Sequence, residues 1–323
     1  MLGANIGIDL GTKNVAVYVE GKGVVLNEPS VVAYGPDGRI KAVGTKAGSM
    51  PGRNPDNFRI VKPIEHGVVS DFTATKHMVQ YFMAKICKNM IFKPNIVACV
   101  PSMVTQLERK TILELIMESG AASATIVEEP LAAAFGAGVN KEKTSGVMVV
   151  DIGGGTTDVA VITMGNVSLS SSTRIAGNAL DEAIKRQLKN ERDLIVSNET
   201  AEELKIKIGS ALYRDVELAM TVKGKNYITG QPVTAEITSG EVFLAMRPKL
   251  LDITEAIRSV LEQTPPELSA DIFDNGIILT GGGSELRSMA AFVENKIGVK
   301  TVVAEDPLNC VALGTGKVIE YSK

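Results

Sequence analysis

The hydrophobic pattern of this chain occurs twice. The stretch "IGIDLGTKNVAVYV" (6–19) is a pair of apolar runs broken by a polar, glycine-containing turn, and "MVVDIGGGTTDVAVIT" (148–163) repeats the design. Runs rich in Val and Ile and bounded by Gly, Asp, Asn and Thr predict paired strands. A third strand-like run follows each pair, "VVLNEPSVVAYG" (24–35) after the first and "VSLSSSTRIAG" (167–177) after the second. The spacing from Asp9 to Asp151 equals that from Val24 to Val167 to within one residue, so the register holds across a three-stranded meander.

Later segments pair up as well. "IVACVPSMVTQLERKTILELI" (96–116) and "GIILTGGGSELRSMAAFV" (276–293) each predict a strand leading into a helix. "TIVEEPLAAAFGAG" (125–138) and "TVVAEDPLNCVALGTG" (301–316) each predict a strand, an acid, a proline in the first helical turn and a helix of small residues. The chain therefore reads as two copies of one α/β plan. The offset between copies is wider at Pro130 and Pro307 than at Asp9 and Asp151, so the second copy carries the larger insertion. That insertion contains the helical "TAEELKIKIGSALYR" and the strand-like "ELAMTVKGKNYI". The expected organisation is one large subdomain from 1–28, 64–144 and 306–323 with a small one at 29–63. A second large subdomain is expected from 145–178 and 239–305, with its small partner at 179–238. Mixed sheets covered on both faces follow, with a ligand cleft between the copies at the strand ends.

The turns inside the two hairpins are longer than geometry requires, since two residues suffice to reverse a strand pair. Consecutive glycines let backbone N–H groups converge on a phosphate oxygen and let the chain approach a ligand closely. Gly153, Gly154 and Gly155, with the hydroxyls of Thr156 and Thr157, make one such loop; Gly11, Thr12, Lys13 and Asn14 make the other. Facing each other, they would clamp a chain of phosphates. Asp9 and Asp151 end equivalent strands. Either would serve alone as a turn cap, but as a symmetric pair they point to a cation, and Mg2+ suits carboxylates combined with phosphate oxygens. Gly281, Gly282 and Gly283 end another strand and are expected to open a helix against the nucleoside.

Composition narrows the partners. Of 323 residues, 45% are hydrophobic and 22% charged, and the net charge of -3 provides no polybasic field, which argues against nucleic acid. Three dispersed cysteines and two histidines exclude a disulfide framework and a histidine-rich metal site. No apolar stretch reaches the length of a membrane span, and "MLGANIGIDL" runs into a strand without a basic n-region, so the expectation is a protein neither secreted nor membrane-spanning.

Taken together, "IGIDLGT", "GKGVVLNEPSVVA", "EEPLAAAFGAG", "MVVDIGGGTTDVAVI", "TAEELKIKIG", "TPPELSADI" and "ILTGGG" resemble the MreB and Mbl type of bacterial actin, within the actin, Hsp70 and sugar kinase superfamily. "KPIEHGVVSDF" (62–72) resembles actin itself. The resemblance spans essentially the whole chain. It implies a duplicated actin-like, ribonuclease H-like ATPase fold with ATP or ADP and Mg2+ in the cleft. It makes Asp9 and Asp151 the metal ligands and assigns the phosphates to the two loops. Glu129 is expected to orient the attacking water, with Thr157 beside the chemistry. Gly177, Glu202 and Lys205 are expected around ribose and adenine, closed by Gly282, Gly283 and Ser284. Lys13 departs from the family, which commonly has a small residue there.

"CKNMIFKPN" (87–95) carries Met90, Ile91 and Phe92 between Lys88 and Lys93. Such an apolar tip flanked by cations either tucks beneath its helix or enters an anionic leaflet, and the resemblance favours the membrane. It also implies a weak Mg-dependent ATPase forming paired, antiparallel filaments on the inner face of the cytoplasmic membrane, cytoplasmic and peripheral, that organise the enzymes of lateral cell-wall synthesis. Two other readings stay open on the same fold: a small-molecule kinase and an Hsp70-like regulator.

Overall fold

The computed structural model describes residues 4–50, 57–88 and 91–321. Its two largest sheets are built on one plan. In the first, five strands lie in the order Ser123–Glu128, Asn95–Val100, Asn5–Leu10, Asn14–Val19 and Gly23–Pro29; in the second the order is Thr301–Val303, Ile277–Thr280, Val147–Ile152, Thr157–Thr163 and Asn166–Thr173. In each, the meander strands pair antiparallel and the two later strands add in parallel. Even the irregularity recurs, because the second and third strands of both meanders shift register midway.

The central strands are buried on both faces, so their apolar runs are continuous rather than alternating. Val147–Ile152 is buried at every position, and Ile6, Ile8 and Ile96 form the equivalent floor of the first sheet. Each such side chain contributes on the order of 1.5–3 kcal/mol on burial. The helices Phe72–Ile86 and Gln106–Glu118 pack on the first sheet, and Gly177–Arg192 and Ser239–Gln263 on the second.

A third apolar cluster ties the halves together. Ala132, Ala133 and Ala134 on the helix Glu129–Gly136 and Val311 on Cys310–Tyr321 lie with Cys99 of one sheet and Val149 and Ala160 of the other. The two helices touch backbone to backbone. A Cβ at Gly314 would stand 1.7 Å from the Ala132 carbonyl oxygen, and one at Gly136 would stand 1.9 Å from that of Cys310. Small residues in these two helices are thus what allows the copies to approach.

The range expected for the first insertion holds a three-stranded sheet of Ile40–Val43, Val32–Tyr34 and Arg59–Val61. The second holds Leu194–Ile195, Ala219–Asn226 and Pro232–Thr238, with the helix Asn198–Ile208 beside them. Two local expectations are corrected. The glycines after Ile277–Thr280 open a 3₁₀ turn, Gly282–Glu285, and the α-helix starts only at Met289. Gly281 has φ 76°, which turns the chain away before an α-helix can form. Pro307 likewise precedes its helix, which starts at Cys310, so of these two prolines Pro130 alone stands in a first helical turn.

Candidate functional site

Between the two halves lies a cavity of about 360 Å³. Both hairpin loops open onto it: Gly11, Thr12, Lys13 and Asn14 from one wall, Gly153, Gly154, Gly155 and Thr156 from the other. The loops meet because the strands that carry them are equivalent. Asp9 pairs with Ala16 in one hairpin and Asp151 with Asp158 in the other, so both acids end a central strand at the cavity. The walls interlock. A Cβ on Gly155 would come within 2.4 Å of Thr12 Oγ1, and that oxygen already accepts the Gly67 N–H at 2.7 Å. His66 Nδ1 donates to the Gly155 carbonyl oxygen at 3.2 Å, which fastens the "EHG" turn to the second loop.

Beneath the loops sits a buried acidic cluster. Burial and then the neighbouring Asp151 push Asp9 up to about 7. Burial is the main cause of the rise of Asp151 to about 6; Asp158 adds to it, and the Thr280 hydroxyl, donating to Asp151 Oδ1 at 2.7 Å, opposes it. Glu129, the first residue of its helix and buried, is raised well above the usual carboxylate range by burial and by Asp158, Asp9 and Asp151. Carboxyls this close together and held from water retain their protons more tightly, and a bound cation would relieve their repulsion. Among the described residues no group of three or more His, Cys, Asp or Glu side chains is arranged to hold a metal. A cation held by the Asp9 and Asp151 carboxylates would take its remaining donors from ligand oxygens and water, a set Mg2+ accepts.

The rest of the lining has a different chemistry. Gly177, Glu202 and Lys205 line the cavity together with Gly281, Gly282 and Gly283. Lys205 is tied to its own wall, paired with Asp181 at 2.7 Å and donating to the Gly177 carbonyl at 3.1 Å. Glu202 pairs with Lys13 across the cavity. Ile206, Leu286 and Leu308 supply an apolar surface of the kind a flat base needs.

Two expected residues do not reach the cavity. Thr157 is fully buried and its hydroxyl donates to the Ile175 carbonyl at 2.7 Å, so it fixes the strand behind the loop instead of facing a ligand. Ser284 is also buried, and its hydroxyl donates to the Gly281 carbonyl at 2.6 Å, locking the 3₁₀ turn. Asp158, which also does not line the cavity but raises Glu129 and Asp151 beside it, is a residue no motif points to. It is buried, its Oδ1 accepts the Ser102 N–H at 3.2 Å, and burial raises its pKa. The available signal was its place as the second acid flanking the glycine loop. Outside the cavity, Ile91 is 91% exposed and Phe92 61% exposed, between exposed Lys88 and Lys93; Met90 lies outside the described residues. Among those residues no helix is long and apolar enough to cross a membrane.

This duplicated fold matches known proteins along nearly the whole chain. A family model described as MreB/Mbl protein matches residues 3–323. The chain belongs to the MreB/Mbl family. It is 43% identical to the cell shape-determining protein Mbl of Bacillus cereus over 99% of this chain and 97% of that one. It is 42% identical to the cell shape-determining protein MreB of Escherichia coli over 99% and 94%. The crystal structure of MreB5 of Spiroplasma citri bound to ADP superposes with a TM-score of 0.94 at 36% identity, covering 99% of this chain and 96% of MreB5. MreB5 has also been solved with AMPPNP. MamK, seen in a double helical filament, shares the fold at a TM-score of 0.84 and 24% identity, covering 98% of each chain. The actin-like fold expected from the sequence is therefore established for this member of the MreB/Mbl family.

Proposed function

We propose that this protein is an ATP-binding bacterial actin that forms paired filaments on the inner face of the cytoplasmic membrane. There it organises lateral cell-wall synthesis and maintains cell shape, with slow ATP hydrolysis controlling filament dynamics. The observation that carries the nucleotide reading is the meeting of the two glycine hairpins over Asp9 and Asp151 in one cavity. Membership of the MreB/Mbl family and the ADP and AMPPNP complexes of MreB5 support it.

In this reading the backbone N–H groups of both loops grip the phosphates, and Asp9 and Asp151 hold Mg2+. Bound there, Mg2+ would neutralise the acid pair and polarise the phosphate oxygens. Glu129, across the same floor, aligns a water in line with the terminal phosphate and takes its proton as attack proceeds. Glu202, Lys205 and Gly177 border the ribose, with the 3₁₀ turn over the base. Lys88, Ile91, Phe92 and Lys93 make the membrane contact, since exposed apolar side chains between cations suit an anionic leaflet.

Co-sedimentation with Mg-ATP and anionic liposomes, followed by electron microscopy of the pellet, tests the assembly reading. Acceptor-dependent ADP production without assembly would overturn it in favour of a small-molecule kinase.

A further inference from the structure

Lys13 is placed unlike any other cation in the cleft. Its backbone is fixed, because the Lys13 carbonyl accepts the Ser30 N–H at 2.8 Å. Its Cβ lies over the second glycine loop, where a Cβ on Gly154 would come within 2.8 Å of it. From there the side chain crosses to Glu202 on the helix Asn198–Ile208 of the opposite half. The stem thus passes over the second glycine loop while the ammonium reaches the opposite wall. Lys205, the other cation lining the cavity, is committed within one wall to Asp181 and the Gly177 carbonyl. Of the two cations lining the cavity among the described residues, Lys13 joins the walls. Burial, then Lys205, push its pKa down to about 8, with Asp181 opposing the fall and Lys62 adding to it, so this ammonium gains from any further anion brought near.

We propose that Lys13 is a phosphate-responsive strap between the two halves. Its ammonium ties the walls through Glu202 when a nucleoside diphosphate is bound, and turns to the terminal phosphate when a triphosphate is bound. The inference rests on the nucleotide reading above and adds to it a residue that reads the number of phosphates. With diphosphate, the strap bars the mouth and slows release. With triphosphate, the same charge contributes to ligand affinity and leaves Glu202 for the sugar hydroxyls. Lys13 is a positioning residue in this scheme; no bond is made or broken through it.

The test measures affinities for AMPPNP and ADP, and the rate of ADP release, in the parent and in Lys13→Ala, Lys13→Arg, Glu202→Gln and the Lys13→Ala/Glu202→Gln double variant. A charge-assisted contact to phosphate predicts that Lys13→Ala weakens AMPPNP about tenfold and ADP by less than about twofold. ADP should leave several-fold faster from either single variant, and no faster from the double variant, because both substitutions cut the same tie. Lys13→Arg should restore most of the triphosphate preference, which a general loss of packing would not allow. Equal weakening of AMPPNP and ADP by Lys13→Ala, or release rates that multiply in the double variant, would overturn the strap and leave the nucleotide site standing. Failure of the parent protein to bind either nucleotide would overturn the nucleotide reading itself.

Discussion

Gly155→Ala isolates the interlock of the two walls from every other property of the second loop. The added methyl would stand 2.4 Å from Thr12 Oγ1, 2.8 Å from Cγ2 and 2.9 Å from Cβ, all on the opposite half. Gly155 is not among the glycines with positive φ, so the substitution carries no backbone strain of its own. Thr12 cannot swing aside freely, since its Oγ1 accepts the Gly67 N–H. Either that bond is lost or the loops part. Overpacking of this kind costs about 1–3 kcal/mol. Because the cost falls on the closed arrangement that grips phosphate, it weakens nucleotide binding by roughly 5- to 150-fold. Titration of a fluorescent ATP analogue reads this directly, with the melting temperature of nucleotide-free protein as a check on folding. Gly153→Ala is the control, since its Cβ would meet only the Thr156 carbonyl of its own loop, at 3.3 Å, and it should bind several-fold tighter than Gly155→Ala. If Gly155→Ala binds within twofold of the parent, the two loops do not act on one ligand and the clamp argument fails.

Three further predictions follow from the acids and the exposed tip. Glu129→Ala should keep Mg-ATP binding but lower the hydrolysis rate by about 10²- to 10⁴-fold, the range for a general base; phosphate release at the parental rate would remove Glu129 from the chemistry. Asp9 and Asp151 hold protons more tightly in the folded protein than in the unfolded chain, so keeping them charged costs stability. That cost is absent below about pH 4 and grows as pH rises through about 6 and 7. In EDTA the melting temperature should therefore fall between pH 5 and pH 8, Asp9→Asn should flatten the fall, and Mg-ATP should reverse it in the parent only; a profile unchanged by Asp9→Asn would refute the repulsion. Replacing Ile91 and Phe92 with Ser should release the protein from anionic vesicles while leaving assembly in solution intact, checked by flotation and sedimentation side by side.

Much of this molecule is legible in its sequence because it is written twice. Apolar runs buried on both faces, as in Val147–Ile152, read as strands without needing a partner to explain them. The parallel positions of Asp9 and Asp151 place the acids at one cavity before any coordinate is known. What escapes is whatever depends on tertiary reach. Thr157 and Ser284 carry the expected hydroxyls, yet nearby carbonyls claim them inside the fold. Asp158 looks like a turn acid until the strand pairing buries it beneath the loops. The Lys13–Glu202 tie joins residues far apart in sequence on different halves, and no local pattern announces it. The 3₁₀ turn at Gly282 shows the same limit on a smaller scale, because one positive φ at Gly281 delays a helix that glycine spacing predicts at once.

The central claim is that the cleft binds Mg-adenine nucleotide and that its state governs assembly. The most direct test is sedimentation of the purified protein with Mg-ATP, Mg-ADP or EDTA, with and without anionic liposomes, and electron microscopy of each pellet. The account predicts paired filaments with Mg-ATP, lying on the vesicles when these are present and lost when Asp151→Ala removes the ion's ligand. A soluble monomer under every nucleotide condition would contradict it.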